Sequence, residues 1–206
     1  MSKVPEKIHP LGDTMYTRLL YIQSCGIKTE DLNGRGADYM IPLELSIDPF
    51  TDEMEQFSHG VSDYSHMFGC AYKTEYCGWL CCNKYYGVGV QNGGGWKDVL
   101  PYQKTPCDLH IKLNKEGATV NGRFFSVPAV APETEMNQLS LMGTGYWAAA
   151  GVYQSHWCRI RRNGELIADF VPVMRKYDGK CGMYDLVRHK FFCAVADDAY
   201  FPGPKA

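Results

Sequence analysis

The stretch from Asp108 to Asn114 alternates without exception: Leu109, Ile111 and Leu113 on one side, Asp108, His110, Lys112 and Asn114 on the other. Successive side chains of an extended strand project to opposite faces, so this is the pattern of a half-buried antiparallel strand. Lys115-Glu116-Gly117 turns the chain into Ala118-Thr119-Val120, and Asn121-Gly122 turns it again into Arg123-Phe124-Phe125-Ser126. Asn-Gly tolerates the positive φ angles of a tight hairpin, so the segment reads as a meander. A second pair, Asn163-Gly164, joins His156–Arg162 to Glu165–Val173. Cys158 and Ile160 share one face of the incoming strand, with Trp157, Arg159 and Arg161 on the other. Leu166, Ala168 and Phe170 share one face of the outgoing strand. No segment holds a helical period for more than about two turns, so the chain is expected to be all-β.

Shorter strand signals lie at Arg18–Gln23, Tyr39–Ile47, His66–Tyr72, Trp79–Asn83 and Tyr86–Gln91. Pro42 interrupts the second of these and predicts an edge or a bulge, because proline has no N–H for the ladder. The acidic, turn-rich stretch Asp48–Asp63 reads as an exposed connection. The polar, proline-bearing start reads as an arm, which divides the chain into an arm over 1–17 and one domain over 18–206. That length suits a single sandwich and buries a core without disulfide or metal staples.

A net charge of −2 gives the chain no global attraction to nucleic acid or to an anionic membrane. No apolar run approaches the roughly 18 residues of a membrane span. The N-terminal Met1-Ser2-Lys3-Val4-Pro5 has no apolar core, so no signal peptide is expected. Nine cysteines, an odd number without a bridge-like spacing, read as reduced thiols of a protein folded in a cytosol.

Asn163-Gly164, Asp169-Phe170-Val171-Pro172, Asp178-Gly179, Gly182-Met183-Tyr184-Asp185 and Lys190-Phe191-Phe192 fall in that order. The succession resembles the "NG, DFVP, DG, GLYD, KFY" pattern of laminin-G-like jelly-roll proteins, and Leu20-Tyr21-Ile22-Gln23-Ser24-Cys25-Gly26 resembles their opening. The match runs from about Leu19 to Gly203. Residues 27–36 depart from the family's continuation at the first edge strand. The resemblance implies an antiparallel jelly-roll sandwich of the concanavalin A/laminin-G-like kind. It also implies a place among proteins of gut bacteriophages and gut bacteria. Its motifs read as structural: Pro172 is expected to end a strand, Asp178-Gly179 to turn, and Gly182-Met183-Tyr184-Asp185 to set an aromatic in the core beside a capping carboxylate.

Catalytic patterns are weak. A glycoside hydrolase needs two carboxylates flanking one bond, and neither Glu44 with Asp48 nor Asp52-Glu53-Met54-Glu55 has the one-face spacing. His66, Cys70, Cys77, Cys81 and Cys82 lack the paired Cys spacing of a zinc site, and no local signature supports a nucleophilic Cys–His pair. No metal or cofactor is therefore expected. Calcium alone stays open, through Asp48, Asp52, Asp63, Asp197 and Asp198. Gly87-Val88-Gly89 and Gly93-Gly94-Gly95 precede no helix and read as turns, not phosphate loops. Arg159-Ile160-Arg161-Arg162 reads as an exposed or salt-bridged strand face.

Six aromatics in or beside loops, Tyr85, Tyr86, Trp96, Tyr102, Tyr146 and Trp147, are the candidate ligand-binding residues, because flat rings stack on sugars or anchor interfaces. The expected role is non-enzymatic: a virion or surface accessory protein such as a phage capsid decoration, head-fibre or tail adhesion component. Its partners would be other assembly proteins, glycans or further copies of itself, with assembly in the host cytoplasm. The alternative is a lectin-like carbohydrate-binding module, with a glycoside hydrolase behind it.

Overall fold

Both Asn-Gly pairs turn as the sequence requires. Asn121 and Gly122 have φ of 50° and 82°, and Asn163 and Gly164 of 50° and 84°. Two successive left-handed residues match the right-handed twist of the strands they join. The computed structural model describes the backbone of residues 15–24, 36–60, 65–72, 75–84, 87–92, 97–100, 107–131, 138–142 and 153–206. Side chains are described throughout those ranges except at 36–37, 60, 65–72, 75–84, 87–88, 100, 107, 138 and 153.

In chain order the strands are β1 Tyr16–Arg18, β2 Ile22–Ser24, β3 Ile41–Ser46, β4 Asp52–Gly60, β5 Ser65–Tyr72, β6 Glu75–Lys84, β7 Gly87–Asn92 and β8 Lys97–Leu100. There follow β9 Cys107–Asn114, β10 Gly117–Val120, β11 Arg123–Ser126, β12 Gln138–Leu141, β13 Tyr153–Arg162, β14 Glu165–Arg175, β15 Cys181–Asp185, β16 Lys190–Phe192 and β17 Tyr200–Pro202. They form two sheets. The larger runs β11-β10-β9-β4-β13-β14-β15-β16, with β1 on β14, β2 on β13 and β17 on β2; the smaller runs β3-β12-β5-β6-β7-β8.

One apolar cluster joins the sheets. Met54, Leu109, Ile111, Leu113, Ile160 and Phe170 of the larger sheet share it with Ile41, Leu43, Leu139, Leu141 and Val90 of the smaller. Each fully withdrawn Leu, Ile or Phe contributes about 1.5–3 kcal/mol of transfer free energy. Polar clamps cross the same interface. Asn92 Nδ2 donates to the carbonyls of Asn114 (2.7 Å) and Val127 (2.9 Å). Arg188 is paired with the buried Asp185, and its Nη2 reaches the Leu43 carbonyl at 3.1 Å. The chain is thus an all-β antiparallel jelly-roll sandwich, as the resemblance implied. Among the described residues, no helix is long and apolar enough to cross a membrane.

Pro42 lies in β3, an edge of the smaller sheet, and the register with β12 shifts between Gln138 and Ser140. Three expectations need correction. The stretch Asp48–Asp63 is no simple connection: β4 occupies Asp52–Gly60 and sits mid-sheet between β9 and β13. Its inward positions are Met54, Gln56 and Ser58, all buried, so two polar residues disguise the alternation. Pro172 does not end β14, which runs on to Arg175 with Pro172 opposite Met183. At that point β13 has left β14 and the N-terminal segment takes its place. Leu19 N–H donates to the Pro172 carbonyl at 3.0 Å, and the missing proline N–H falls where β1 gives way to β2. Tyr184 is buried as expected, in a second cluster with Val171 and Val173 against which Tyr16 and Phe191 pack, beside the turn-capping Asp185, while Met183 joins the main core. Strand pairing also begins inside the stretch assigned to the arm, with Tyr16 opposite Arg175 and Thr17 opposite Met174.

Candidate functional site

Alternation along β4, β9 and β13 sends Met54, Leu109, Ile111, Cys158 and Ile160 inward. The same periodicity turns Phe57, Glu55, His110, Lys112, Trp157 and Arg159 to the outer face. Register then arranges these outward residues in rows across the strands. Phe57 stands opposite both Trp157 and His110. The next row runs Asp169, Arg159, Glu55 and Lys112, and continues through Thr119 to the exposed Phe124.

A β-bulge makes the aromatic row into a platform. Ser155 pairs with Ser58 and Trp157 with Phe57, so His156 has no partner of its own on β4. An extra residue re-aims its neighbours, and His156 and Trp157 both turn to Phe57. Their ring centroids lie 4.9 and 6.3 Å from that of Phe57. Trp157 is only 24° from parallel to it. Tyr21 extends the group, 5.4 Å from His156, and His110 meets Trp157 edge-on at 5.7 Å. Phe57, His110, His156 and Trp157 are all half-buried, so each ring keeps some surface toward solvent.

Polar groups border the rings. Lys112 Nζ (3.0 Å) and His110 Nε2 (2.6 Å) converge on the same oxygen of Glu55, Oε1. Arg159 stacks over Trp157, 4.9 Å from the ring centroid, and its Nε donates to the buried Asp169 at 3.2 Å. His59 Nδ1 lies 2.7 Å from Asp108. At the rim, Gln154 Nε2 donates to Gln23 Oε1 at 3.0 Å. Burial acts to raise the Glu55 carboxyl, but the hydrogen bonds and charges of Lys112 and His110 hold it below the usual carboxylate range. A general acid needs the opposite shift. Burial, with His59 nearby, pushes the His156 imidazole below its ordinary value, against Asp108 and a bond to the Leu20 backbone. Cys158 lies under this surface, and burial pushes its thiol up, away from the nucleophilic thiolate. Rings, amides and ion-paired carboxylates on one sheet face can stack and hydrogen-bond.

Tyr85, Tyr86, Trp96, Tyr102, Tyr146 and Trp147 all lie outside the described residues. The platform was missed because Phe57 fell in a stretch read as a connection, and because strand register is not written in the sequence. Trp157, Arg159 and His110 were each assigned to an outward face, which was the available signal. Among the described residues no group of three or more His, Cys, Asp or Glu could hold a metal ion. Asp52 is engaged by Arg162 and Asp197 by Lys180, while Asp63 lies outside the described residues. The backbone pairs His66 with Cys82 and Cys70 with Leu139. Arg159 is salt-bridged on the outer face of β13, as expected of the basic run, while Arg162 pairs with the buried Asp52 on the opposite face.

No family model and no curated protein matches the chain. Two solved structures are similar to parts of it. One is the binding domain of botulinum neurotoxin DC in complex with SialylT, 14% identical, covering 55% of this chain and 31% of that one, with a TM-score of 0.32. The other is the receptor-binding domain of the botulinum neurotoxin C/D mosaic serotype, 12% identical, covering 74% and 40%, with a TM-score of 0.38. The chain spans less than half the length of either.

Proposed function

We propose that this protein is a non-catalytic recognition module whose outer sheet face binds carbohydrate. The bulge at His156 carries the reading, because it sets two rings against Phe57 on a sheet face bordered by Glu55, His110, Lys112 and Arg159. Aromatic faces stack on the C–H faces of a sugar ring, and fixed carboxylate, guanidinium and imidazole groups meet its hydroxyls. The test is affinity electrophoresis and calorimetry of the full chain on a saccharide panel, repeated with Trp157→Ala. Loss of a central aromatic anchor is expected to weaken binding by roughly 30-fold. The melting temperature should stay within a few degrees. Binding that survives the substitution unchanged would count against the platform.

A particle-borne role, as a capsid decoration, fibre or adhesion component of a gut phage, is the second reading. It is favoured by a separate aromatic group on the same outer face. Tyr16 lies 5.0 Å from Tyr184 and 5.3 Å from Phe191, and Arg175 covers the exposed Tyr177 at 4.5 Å. Tyrosine and arginine are the residues that dominate protein interfaces. Mass spectrometry of intact particles from the source tests it: fixed copies per particle are expected, and a protein found only free would overturn it.

A further inference from the structure

The charges around the platform are already spent on one another. Lys112 and His110 both engage Glu55, Arg159 engages Asp169, and His59 engages Asp108. One row further on, Arg161 stands opposite Glu53. Arg18, half-buried beside Asp169 and Arg159, is a further cation among the described residues; burial lowers its pKa while Asp169 opposes that shift. Among the described residues, Arg18, Arg159 and Lys112 thus balance Glu55, Asp108 and Asp169. Asp169 matters most, because it is almost wholly withdrawn from solvent. An incoming anion that drew Arg159 away would take from a buried carboxylate its hydrogen-bonded partner and leave Arg18 alone beside it, a costly exchange. An uncharged hydroxyl asks for no such exchange, since a paired guanidinium or carboxylate still offers unused donors and lone pairs.

From this balance we infer that the platform selects uncharged saccharides and discriminates against those bearing carboxylate or sulfate. The inference rests on the carbohydrate reading above and adds the ligand class to it.

Matched oligosaccharides separate the two ideas. Neutral gluco-, galacto-, manno- and xylo-oligosaccharides are titrated at neutral pH against uronic-acid and sulfated counterparts, at low and at high salt. The expected result is neutral binding that salt barely changes, with the acidic partner weaker by roughly tenfold or more. Glu55→Gln, or Asp108→Asn at the exposed rim, removes one carboxylate and should narrow that gap. Acidic sugars bound as tightly as neutral ones, with a steep salt dependence and sensitivity to Trp157→Ala, would overturn the selectivity and leave the carbohydrate reading intact. Failure of both sets to bind would overturn both.

Discussion

Arg162 grips Asp52 with two hydrogen bonds of 2.7 Å, one from Nε and one from Nη2, and so joins the start of β4 to the end of β13. Asp52 is fully enclosed and also accepts the backbone N–H of Asp48 at 3.0 Å. Removing the carboxylate leaves a guanidinium and a backbone donor without their acceptor. Asp52→Ala is expected to cost about 3 kcal/mol, the lower end for a broken buried pair because Arg162 keeps some contact with water. Urea denaturation measures it, and a loss below about 0.5 kcal/mol, the range of ordinary surface substitutions, would refute it.

Acidification should loosen the fold in two stages. The folded His156 has a lower pKa than the unfolded chain, so its contribution is complete above the ordinary histidine value of about 6.5 and declines as pH falls through that value. The folded Glu55 is also lowered, so its contribution is present above the ordinary value of about 4.3 and disappears as pH falls through its folded value. Urea midpoints across pH should therefore fall first near pH 6. In His156→Phe that first decline should be reduced and the later one kept.

Gly182 and Gly164 should respond differently to a methyl group. A Cβ at Gly182 would meet the Phe192 carbonyl oxygen at 2.2 Å and the Phe191 ring at 2.7 Å, whereas nothing lies within 4 Å at Gly164, where φ is +84°. Gly182→Ala is expected to cost about 3 kcal/mol by overpacking, and Gly164→Ala about 1–2 kcal/mol by backbone strain alone. Equal losses in thermal denaturation would contradict this account of the β15–β16 pair.

Thiol chemistry offers a check on burial. Burial pushes the thiols of Cys181 (to about 11) and Cys193 up, and Cys158 is raised further, mainly by burial and then by the charges of Asp169 and Asp185. Peptide mapping after brief iodoacetamide treatment at pH 7.5 should find Cys158 unmodified in the native protein and alkylated in urea. Rapid native alkylation at Cys158 would mean that the platform's underside opens to solvent.

The hairpins and the outer strands were legible because their chemistry is local. Asn-Gly dictates its turn, and the Leu109, Ile111, Leu113 alternation needs no partner to be read. Phe57 shows where local reading ends. Its strand carries Gln56 and Ser58 inward, so the periodicity that identified β9 is muted in β4. Its neighbours Trp157 and His110 become neighbours only through register, and the bulge that sets His156 beside it depends on one unmatched residue. Pro172 was misread for a related reason, since a strand that changes partners tolerates a proline where a strand with one partner does not.

The ion pair between Asp52 and Arg162 spans 110 positions of chain, and every other pair of the β4–β13 seam is nearly as remote. Pairings this remote carry the loop-closure cost before they gain anything, which places such folds among the slower ones, in milliseconds to seconds. The platform straddles the seam, with Phe57 on one side and Trp157 and His156 on the other. Neither half of the chain can display a partial version of it during folding. A ligand held across both strands, as proposed above, would slow unfolding by holding the seam shut.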